Sequence, residues 1–501
     1  MLRFFCVWFI QGGSGKLNKR TCKSIFRKLP KSILLCYISM KRKVLVIFIV
    51  LLSTGRGHCH CSFPSASESD STYTKHYLTP LLEVGGINGM VWAFDRFILR
   101  QPYASISIRS IENNLRQGFL WDNDKLSTNM FFHPYNGGLY YSAARSSNLG
   151  YGTSVIYALA GSLMWEIALE NEPPSINDLL ATTIGGAAMG EVMVRLSGWL
   201  MANKSQSAVV NISALLLSPT SWINSHLYAQ QQQPMPLKIN AKINNTMILT
   251  PGTAQYQFSV SANARYGNFF ATANTKPFDA FESTIGIAVY PKPTLKEFIT
   301  VGSLYSTEMN DYRHGSIILG LYQHFDYFDS KAIGDDATYM LSTPVAASVG
   351  ICLNSETDNI STNASIYMKV IGLGAVESDH YHNIDRNYNM GQGVGSQINL
   401  SANYRNKAAI NIALYQYVIY TFKGFDGEEQ DLQLHDLYLN SQGNISMANT
   451  LVIKSELKYF LSNRLFLSAE ANYFFRHTQY KYFPVAKKNI LEISFGIGGA
   501  F

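Results

Sequence analysis

Cysteine is scarce in this sequence and unevenly distributed. Six of the 501 residues are cysteine, and five of them lie within the first 61 residues, so that Cys352 stands alone in the remainder. A single thiol excludes an internal disulfide and a cysteine metal cage from residues 62–501. The sequence also lacks a Gly-rich phosphate loop, a GxSxG elbow and an HExxH helix. No metal or cofactor is therefore predicted.

Acidic residues are absent from residues 1–57, which contain 12 Lys or Arg. The rest of the chain has 29 basic and 34 acidic residues, so the formal charge of +7 originates at its beginning. Because the remaining residues are slightly acidic, they have no basic surface of the kind that nucleic acids require. No nucleic-acid partner is expected.

A secretory signal peptide is predicted from Met40, where the basic residues KRK precede an apolar run that ends near Leu52. This run is too short to span a bilayer. We therefore expect residues 1–39 to be a mis-assigned extension and residues 40–61 to be the signal peptide. Residues 62–79 are then a Ser-rich polar tail of the mature chain.

Residues 80–203 are predicted to form a mainly helical domain built around two apolar helices. The first helix covers about Thr153 to Leu169, and its polar residues Ser162, Glu166 and Glu170 recur every four positions on one face. Regularly spaced acids on an apolar helix distinguish this region from the rest of the chain.

The first helix must end before Pro173 and Pro174, because neither residue can continue it. Ser175 is a good N-cap for a second helix that runs to about Trp199. Asp178 lies three residues later and completes a predicted capping box. The two helices therefore form a hairpin.

Small residues and one charge pair mark the second helix. Gly185, Gly186 and Gly190 leave one face without side chains, so another helix can approach closely. Glu191 and Arg195 are four residues apart and can form an ion pair. We interpret the charges of the hairpin as caps and pairs of a tightly packed core, with a chemical site as the alternative.

Three motifs in this region resemble one known family. They are HPY from His133, SLMWE from Ser162 and NEPPSINDLLATTIGGAAMGE from Asn171. Together they resemble the signature of domain of unknown function 3943, found in predicted outer-membrane proteins, over about Leu81 to Trp199. The resemblance implies a cell address and an architecture, but no activity. The motif residues carried over are Pro173, Pro174, Ser175, Asn177, Asp178, Gly185, Gly186, Gly190, Glu191 and Arg195.

The pattern changes after the helical domain. Residues 204–250 are interpreted as a linker and barrel entry, because a glutamine run is followed by Pro234 and Pro236. Beyond them, apolar and polar residues alternate, as in Tyr256, Gln257, Phe258 and Ser259. About ten to twelve such strands are separated by Asn, Asp, Gly and Ser. A soluble β-sandwich and a membrane β-barrel both have this alternation.

Three features favour the barrel. The chain ends in the alternating strand LEISFGIGGAF, and its final Phe501 resembles the terminal signal that the outer-membrane assembly machinery recognises. Tyr and Phe are abundant, as the aromatic girdles of a barrel require. The predicted signal peptide adds export. The predicted fold is therefore a membrane β-barrel of about 10–12 antiparallel strands over residues 251–501, preceded by the mainly helical domain.

We expect a non-enzymatic barrel in the outer membrane of a Gram-negative bacterium, in contact with outer-membrane lipid. In this interpretation the helical hairpin plugs or braces the barrel, and a small solute could pass. One alternative is an envelope lipid-modifying hydrolase with its site at the helix–barrel junction. Another is an inner-membrane helical domain with an exported sheet. The sequence indicates no ligand. The candidate catalytic residues are His133, Glu166, Asp178, His324 and Asp326.

Overall fold

The computed structural model describes most of the mature chain. The described residues are 73–202, 207–228, 235–250, 253–270, 273–312, 315–331, 338–381, 386–424 and 440–501. The predicted extension, the predicted signal peptide and most of the predicted polar tail lie outside the described residues.

Helices occupy the described residues that precede the first strand. They are α1 (Leu78–Ala93), α2 (Ile108–Gln117), α3 (His133–Ser146), α4 (Tyr151–Met164), α5 (Ile176–Leu180), α6 (Gly186–Ala202), α7 (Ala208–Leu217) and α8 (Pro219–Leu227). Single π-helical turns extend α1 through Phe94–Leu99 and α4 through Trp165–Leu169. Two more lie before α3, at Thr128–Phe132, and between α5 and α6, at Ala181–Gly185. We call residues 78–227 the helical unit.

The helical unit extends beyond residue 203, where the predicted domain ends. Helices α7 and α8 lie in the segment interpreted as a linker, and each begins at a serine cap. The Ser207 side chain accepts a hydrogen bond from the Val210 N–H, and Ser218 does the same for Ser221. The linker prediction is therefore wrong for these helices.

Twelve strands follow the helices and close into one antiparallel barrel. They are β1 (Leu237–Thr250), β2 (Thr253–Tyr266), β3 (Phe281–Tyr290), β4 (Thr294–Tyr312), β5 (Gly315–Lys331), β6 (Thr338–Glu356), β7 (Ile360–Glu377), β8 (Tyr388–Tyr404), β9 (Ala408–Thr421), β10 (Ser446–Phe460), β11 (Leu465–Tyr480) and β12 (Ala486–Ala500). Sequential strands are neighbours, and β1 pairs with β12, so the sheet has no free edge. The predicted fold class is confirmed.

The first strand begins 14 residues before the predicted start of the barrel at residue 251. Strand β1 occupies the end of the segment interpreted as linker and barrel entry. Its outward positions include Ile239, Ile243 and Met247, but the exposed Asn245 interrupts this apolar series. The polar interruption explains why period-two alternation failed to mark β1.

Alternate residues of the strands face opposite sides of the barrel wall. In β2, Tyr256 and Phe258 are exposed on the outside, whereas Gln257 and Ser259 are buried on the inside. The inward direction is set by ion pairs between strands that are not neighbours, such as Lys296 of β4 with Glu492 of β12. Such pairs can form only across the lumen.

The helical unit packs through backbone contacts at glycine. A Cβ atom added to Gly186 of α6 would lie 2.6 Å from the backbone carbonyl carbon of Gly137 in α3. One added to Gly190 would lie 2.7 Å from the Tyr141 ring. Only glycine at these positions allows α3 and α6 to come this close.

The helical unit contacts the outer surface of the barrel wall. In β5, Gln323 shares its face with the exposed Leu321, and its side-chain amide donates to the Ile184 carbonyl at 2.8 Å. The Phe131 ring packs against Phe298 of β4 and Tyr327 of β5. The hairpin therefore does not occupy the lumen in the described residues, and the plug interpretation is wrong. The lumen already contains the cross-barrel pairs.

Candidate functional site

The connection between α4 and α5 places a carboxylate at a helix N-terminus. Ser175 caps α5, and its side chain accepts a hydrogen bond from the Asp178 N–H at 3.2 Å. The returning carboxylate is that of Glu166, which accepts the Ser175 N–H at 2.7 Å. Asp178 therefore does not close the predicted capping box with its own carboxylate. The Asp178 carboxylate instead makes other contacts.

Asp178 belongs to a buried network with Asp122. Asn177 donates through its side-chain amide to both carboxylates, at 2.8 Å to Asp122 and 2.9 Å to Asp178. Asn129 also donates to Asp122, at 2.7 Å. The Asn177 amide therefore bridges the two carboxyl groups.

His133, the first residue of α3, lies next to this carboxyl pair. Its Nε2 is 3.5 Å from Asp178 Oδ1, slightly longer than a good hydrogen bond. The ring is largely buried, with 17% of the side chain exposed. A histidine beside two carboxyl groups is an arrangement that can exchange protons.

A second carboxyl pair lies on the other side of the α4–α5 connection. The side chains of Glu166 and Glu170 hydrogen-bond each other. Glu170 also accepts from the Trp165 indole N–H at 3.1 Å. Glu166 thus has the partners that the sequence did not reveal.

The barrel supplies a cation to this acidic region. The Arg386 guanidinium, just before β8, is fully buried between the rings of Tyr381 and Tyr388. It donates to the Asp122 backbone carbonyl at 2.8 Å. The Tyr388 hydroxyl accepts from Asn129 at 2.8 Å. We call Asp122, Asn129, His133, Glu166 and Asp178 the junction cluster, because it lies where the helical unit meets these barrel residues.

The junction cluster unites three of the predicted candidates, His133, Glu166 and Asp178, and excludes the other two. Sequence reasoning missed Asp122 and Asn129, since WDND was interpreted only as a turn. Asp122 lies 55 residues from Asn177, a distance that no local pattern bridges. The sequence signal that could have indicated these two residues was the polar WDND segment before an apolar helix.

Glu191 and Arg195 form a separate buried group. The Glu191 carboxylate accepts from Arg195 Nε at 3.1 Å, from Arg145 Nε at 2.7 Å and from the Tyr141 hydroxyl at 2.8 Å. Arg195 also bonds Asp279 of the β2–β3 connection at 3.1 Å. These four charges join α3, α6 and the barrel, and their geometry is that of a structural link.

His324 and Asp326 both face the lumen and are completely buried. His324 Nε2 lies 2.7 Å from the Ser348 hydroxyl. Asp326 pairs with Lys369 at 2.6 Å and accepts the Tyr417 hydroxyl at 3.0 Å. His324 thus links the neighbouring strands β5 and β6, whereas Asp326 links β5 to the non-neighbouring strands β7 and β9.

Further ion pairs cross the lumen at other levels. A bulge in β4 turns both Lys296 and Glu297 inward, because Lys296 has no partner residue in β3. Lys296 then pairs with Glu492 at 2.9 Å, and Glu297 pairs with Lys454 of β10. Lys242 of β1 contacts two more acids at 2.6 Å, Glu456 and Glu470.

A small cavity remains among these charges. Its volume is about 40 Å³, and its walls include Asn244, Ser261, Lys296, Glu470 and Glu492. This volume accommodates a few water molecules. Throughout the part of the chain that the structure describes, no cluster of three or more His, Cys, Asp or Glu side chains is arranged to hold a metal ion.

Comparison with solved structures identifies outer-membrane barrels. The NanC porin is 8% identical, with 52% of this chain and 98% of that chain covered and a TM-score of 0.26. The KdgM porin is 10% identical, with 52% and 99% covered and a TM-score of 0.22. The toluene transporter TodX of Pseudomonas putida is 8% identical, with 53% and 88% covered and a TM-score of 0.21. At such identities the likeness concerns the fold alone.

No curated protein matches the chain. A family model does match residues 118–220, a segment that begins just before Asp122 and ends in α8. It contains the whole junction cluster and Glu191. The family expected from the sequence motifs is thereby confirmed, and residues 118–220 carry the domain of unknown function (DUF3943).

Proposed function

We propose that this protein is an outer-membrane barrel with a closed lumen. We also propose that the barrel wall braces the helical unit, which lies against its outer surface. The observation that carries the proposal is the set of ion pairs between non-neighbouring strands, Lys296 with Glu492, Glu297 with Lys454 and Asp326 with Lys369. Each pair occupies space that a solute would need. The barrel then serves as a membrane anchor for the helical unit.

The contacts between the helical unit and the wall support a bracing role. Polar contacts form near both ends of the strands, through Arg195 with Asp279 and through Asp122 with Arg386. Between them, Gln323 and the aromatic side chains of β4 and β5 contact the helices. Several separated contacts fix an orientation, whereas a single contact would allow the unit to pivot.

Conductance measurements test the closed lumen. We expect the purified protein, reconstituted in a planar bilayer, to give no steady current. The double variant Lys296→Ala with Glu492→Ala removes one cross-lumen pair and the space that it occupies without leaving an isolated charge, and it is expected to admit small ions. The matched control is Arg265→Ala with Glu282→Ala, because this pair bonds neighbouring strands at 3.3 Å.

A steady current from the unaltered protein contradicts the closed-lumen proposal and supports small-solute passage. Equal currents from the two double variants also contradict it, because the cross-lumen pair would then have no special effect. Recovery of folded protein in the inner membrane contradicts the proposed address and favours the inner-membrane alternative.

The junction cluster favours a second function, an envelope lipid-modifying hydrolase. The observation is the position of His133 next to the carboxyl groups of Asp122 and Asp178, which the Asn177 amide bridges. In such chemistry His133 would take a proton from water as a general base. We expect His133→Gln and Asp178→Asn to abolish any lipid-modifying phenotype while the barrel still assembles. If the phenotype persists in both variants, the hydrolase is excluded.

Glu166→Gln distinguishes a chemical from a structural role for the helix cap. In the bracing proposal it weakens the cap at Ser175 and destabilises the helical unit, as Asp178→Asn and Glu191→Gln also do. If it abolishes a lipid-modifying phenotype while the stability of the helical unit remains normal, the hydrolase replaces the bracing proposal. The exposed Glu112→Gln on α2 supplies the matched control for the same chemical change.

A further inference from the structure

The interior of the helical unit is unusually polar. Asp95 is 1% exposed, Glu166 is 2% exposed, and Asn88 and Glu191 are completely buried. Their partners are other side chains and the backbone, as when Asn88 donates to the Gly161 carbonyl at 3.0 Å and Glu191 accepts from Arg145 at 2.7 Å. Acidic side chains of water-soluble domains are mostly exposed. Inside a bilayer, by contrast, ionisable side chains face the interior of a helix bundle.

Much of the exposed surface of the helical unit is apolar, although it also carries exposed charges such as Arg96, Arg109, Glu112 and Arg116. Within the described residues of the unit, ten large apolar side chains are at least 57% exposed. They are Leu78, Leu81, Leu82, Met90, Phe97, Ile98, Ile108, Leu115, Ile156 and Leu227. Many of them lie on α1 and its π-helical turn, whose acid Asp95 points inward. This distribution is the reverse of that in a water-soluble helix.

Helix length and helix packing agree with this reversal. The segments Tyr151–Leu169 and Ile176–Ala202 are each long and apolar enough to cross a bilayer. Close contact of α3 and α6 at Gly137 and Gly186 is typical of helices that associate in lipid, where small residues replace the hydrophobic effect as the basis of packing.

The unit also lies beside the lipid-facing part of the wall. Gln323, which contacts the helices, is two residues from Leu321, an outward side chain that is 50% exposed. The row of paired residues through Gln323 continues through Ala347 to Val370, another exposed outward residue. Strand tilt changes the height along such a row by only about 3 Å per strand. The helices and the exposed apolar wall are therefore at similar heights.

We propose that the helical unit is embedded in the bilayer beside the barrel, with its apolar surface in contact with lipid acyl chains. We infer lipid as the neighbour of this surface because the surface is continuous with the lipid-facing wall at Leu321. The wall covers one side of the unit, lipid covers the other, and the buried acids find partners in the interior, as Glu191 does in Arg145 and Glu166 in the Ser175 N–H. The proposal goes beyond the closed-lumen function and does not depend on it.

Tryptophan provides a natural probe of the helical unit. Of the six Trp residues in the chain, Trp8 precedes the predicted signal peptide and the others lie in the helical unit, while residues 237–501 have none. The five in the unit are Trp92, Trp121, Trp165, Trp199 and Trp222. We expect their emission to be quenched in vesicles of lipids brominated at the middle of the acyl chain, relative to vesicles of ordinary lipids. Equal emission in both overturns the proposal.

Cysteine labelling gives a second, independent measurement. Leu82→Cys places a thiol on the exposed face of α1, and Asp358→Cys places one in the exposed β6–β7 connection. In proteoliposomes we expect a water-soluble maleimide to label Leu82→Cys on the order of tenfold more slowly, since hydrocarbon disfavours the reactive thiolate. The native Cys352 is buried, Cys59 and Cys61 are replaced by serine in every variant, and the protein with these two replacements alone gives the background.

Two outcomes of the labelling experiment overturn the proposal. Labelling of Leu82→Cys as fast as Asp358→Cys shows that water covers the surface. Protection that is present in crowded vesicles but disappears in nanodiscs holding one copy shows that a second copy covers it. Protection that persists in single-copy nanodiscs supports lipid contact.

Discussion

Replacing Glu191 with glutamine perturbs the most highly bonded charge in the helical unit. The carboxylate is completely buried and accepts hydrogen bonds from Arg145, Arg195 and Tyr141. Glutamine has nearly the same shape, but it is neutral and replaces one acceptor oxygen with an N–H₂ donor. The variant therefore removes the charge and leaves two guanidinium groups facing each other without their shared anion.

The magnitude follows from burial. Breaking a buried ion pair costs about 3–5 kcal/mol, because the remaining charge stays out of water without compensation. Arg195 retains Asp279 at 3.1 Å, whereas the ion-pair partner of Arg145 is Glu191 at 2.7 Å. We therefore expect a loss of about 3–5 kcal/mol in the unfolding free energy of the helical unit, which is a large share of the stability of an ordinary domain.

Tryptophan emission measures this loss, since the mature chain carries its Trp residues in the helical unit. Urea titration of Glu191→Gln is expected to give an emission transition at a lower midpoint than in the unaltered protein. The heat-dependent gel shift of the barrel is expected to remain, because the strands are held by their own pairing and by the cross-lumen ion pairs. Glu112→Gln, an exposed acid on α2, is the control for the same chemical change.

A Glu191→Gln midpoint equal to that of Glu112→Gln would refute the reasoning, because the two arginines would then not depend on the carboxylate. Simultaneous loss of the emission transition and the gel shift would show that the helical unit and the barrel unfold as one body. That result would refute the expected independence of the barrel.

Further expectations concern packing, assembly and pH. Gly186→Ala is expected to destabilise the helical unit by at least about 1–3 kcal/mol in the same titration, because the added Cβ would clash with the Gly137 backbone. Gly198→Ala in the same helix is expected to be tolerated, because its Cβ would have no neighbour within 4 Å. Deletion of Phe501 is expected to lower the yield of heat-modifiable protein in the outer-membrane fraction without changing the protein that does assemble. N-terminal sequencing is expected to find a start between His58 and Glu68, and peptides from LNKRTCKSIFRK would contradict this. Burial opposes ionisation of Asp379, but hydrogen bonds from Arg476 lower its pKa to about 2. The stability that the ionised Asp379 contributes is therefore present above about pH 4 and is lost as the pH falls toward 2. Arg476→Met is expected to remove the part of the acid dependence of unfolding that comes from Asp379.

The barrel was predictable because alternate residues of each strand face two different environments, the outside of the wall and the lumen, and differ in polarity accordingly. Tyr256 and Phe258 face outward, while Gln257 and Ser259 face the lumen. The same rule missed β1, where the outward Asn245 breaks the apolar series. Register and closure depend on pairing between distant strands, such as β1 with β12, which no single-strand pattern contains.

The place of the helices was not predictable for a related reason. Phe325 and Tyr327 of β5 face outward and have the character of lipid-facing residues, yet both are buried, and Tyr327 packs against Phe131 of the helical unit. Aromatic side chains suit either neighbour. Within the junction cluster, Ser175 was predicted as a cap from its spacing, but its carboxylate partner Glu166 comes from the preceding helix. Local spacing predicted Asp178 as the carboxylate that accepts the Ser175 N–H. In the folded chain the turn between the two helices brings Glu166 to that position.

The order of elements along the chain sets the order in which the protein can mature. The helices at residues 78–227 are synthesised before β4 and β5, which carry the wall that they contact. The barrel in turn cannot close until β12 has been made, because β1 pairs with it. The helical unit thus exists for an interval without its wall, and its exposed apolar side chains are then open to aggregation. A chaperone that shields apolar helices during this interval is a requirement that an ordinary barrel, which has only alternating strands, does not share.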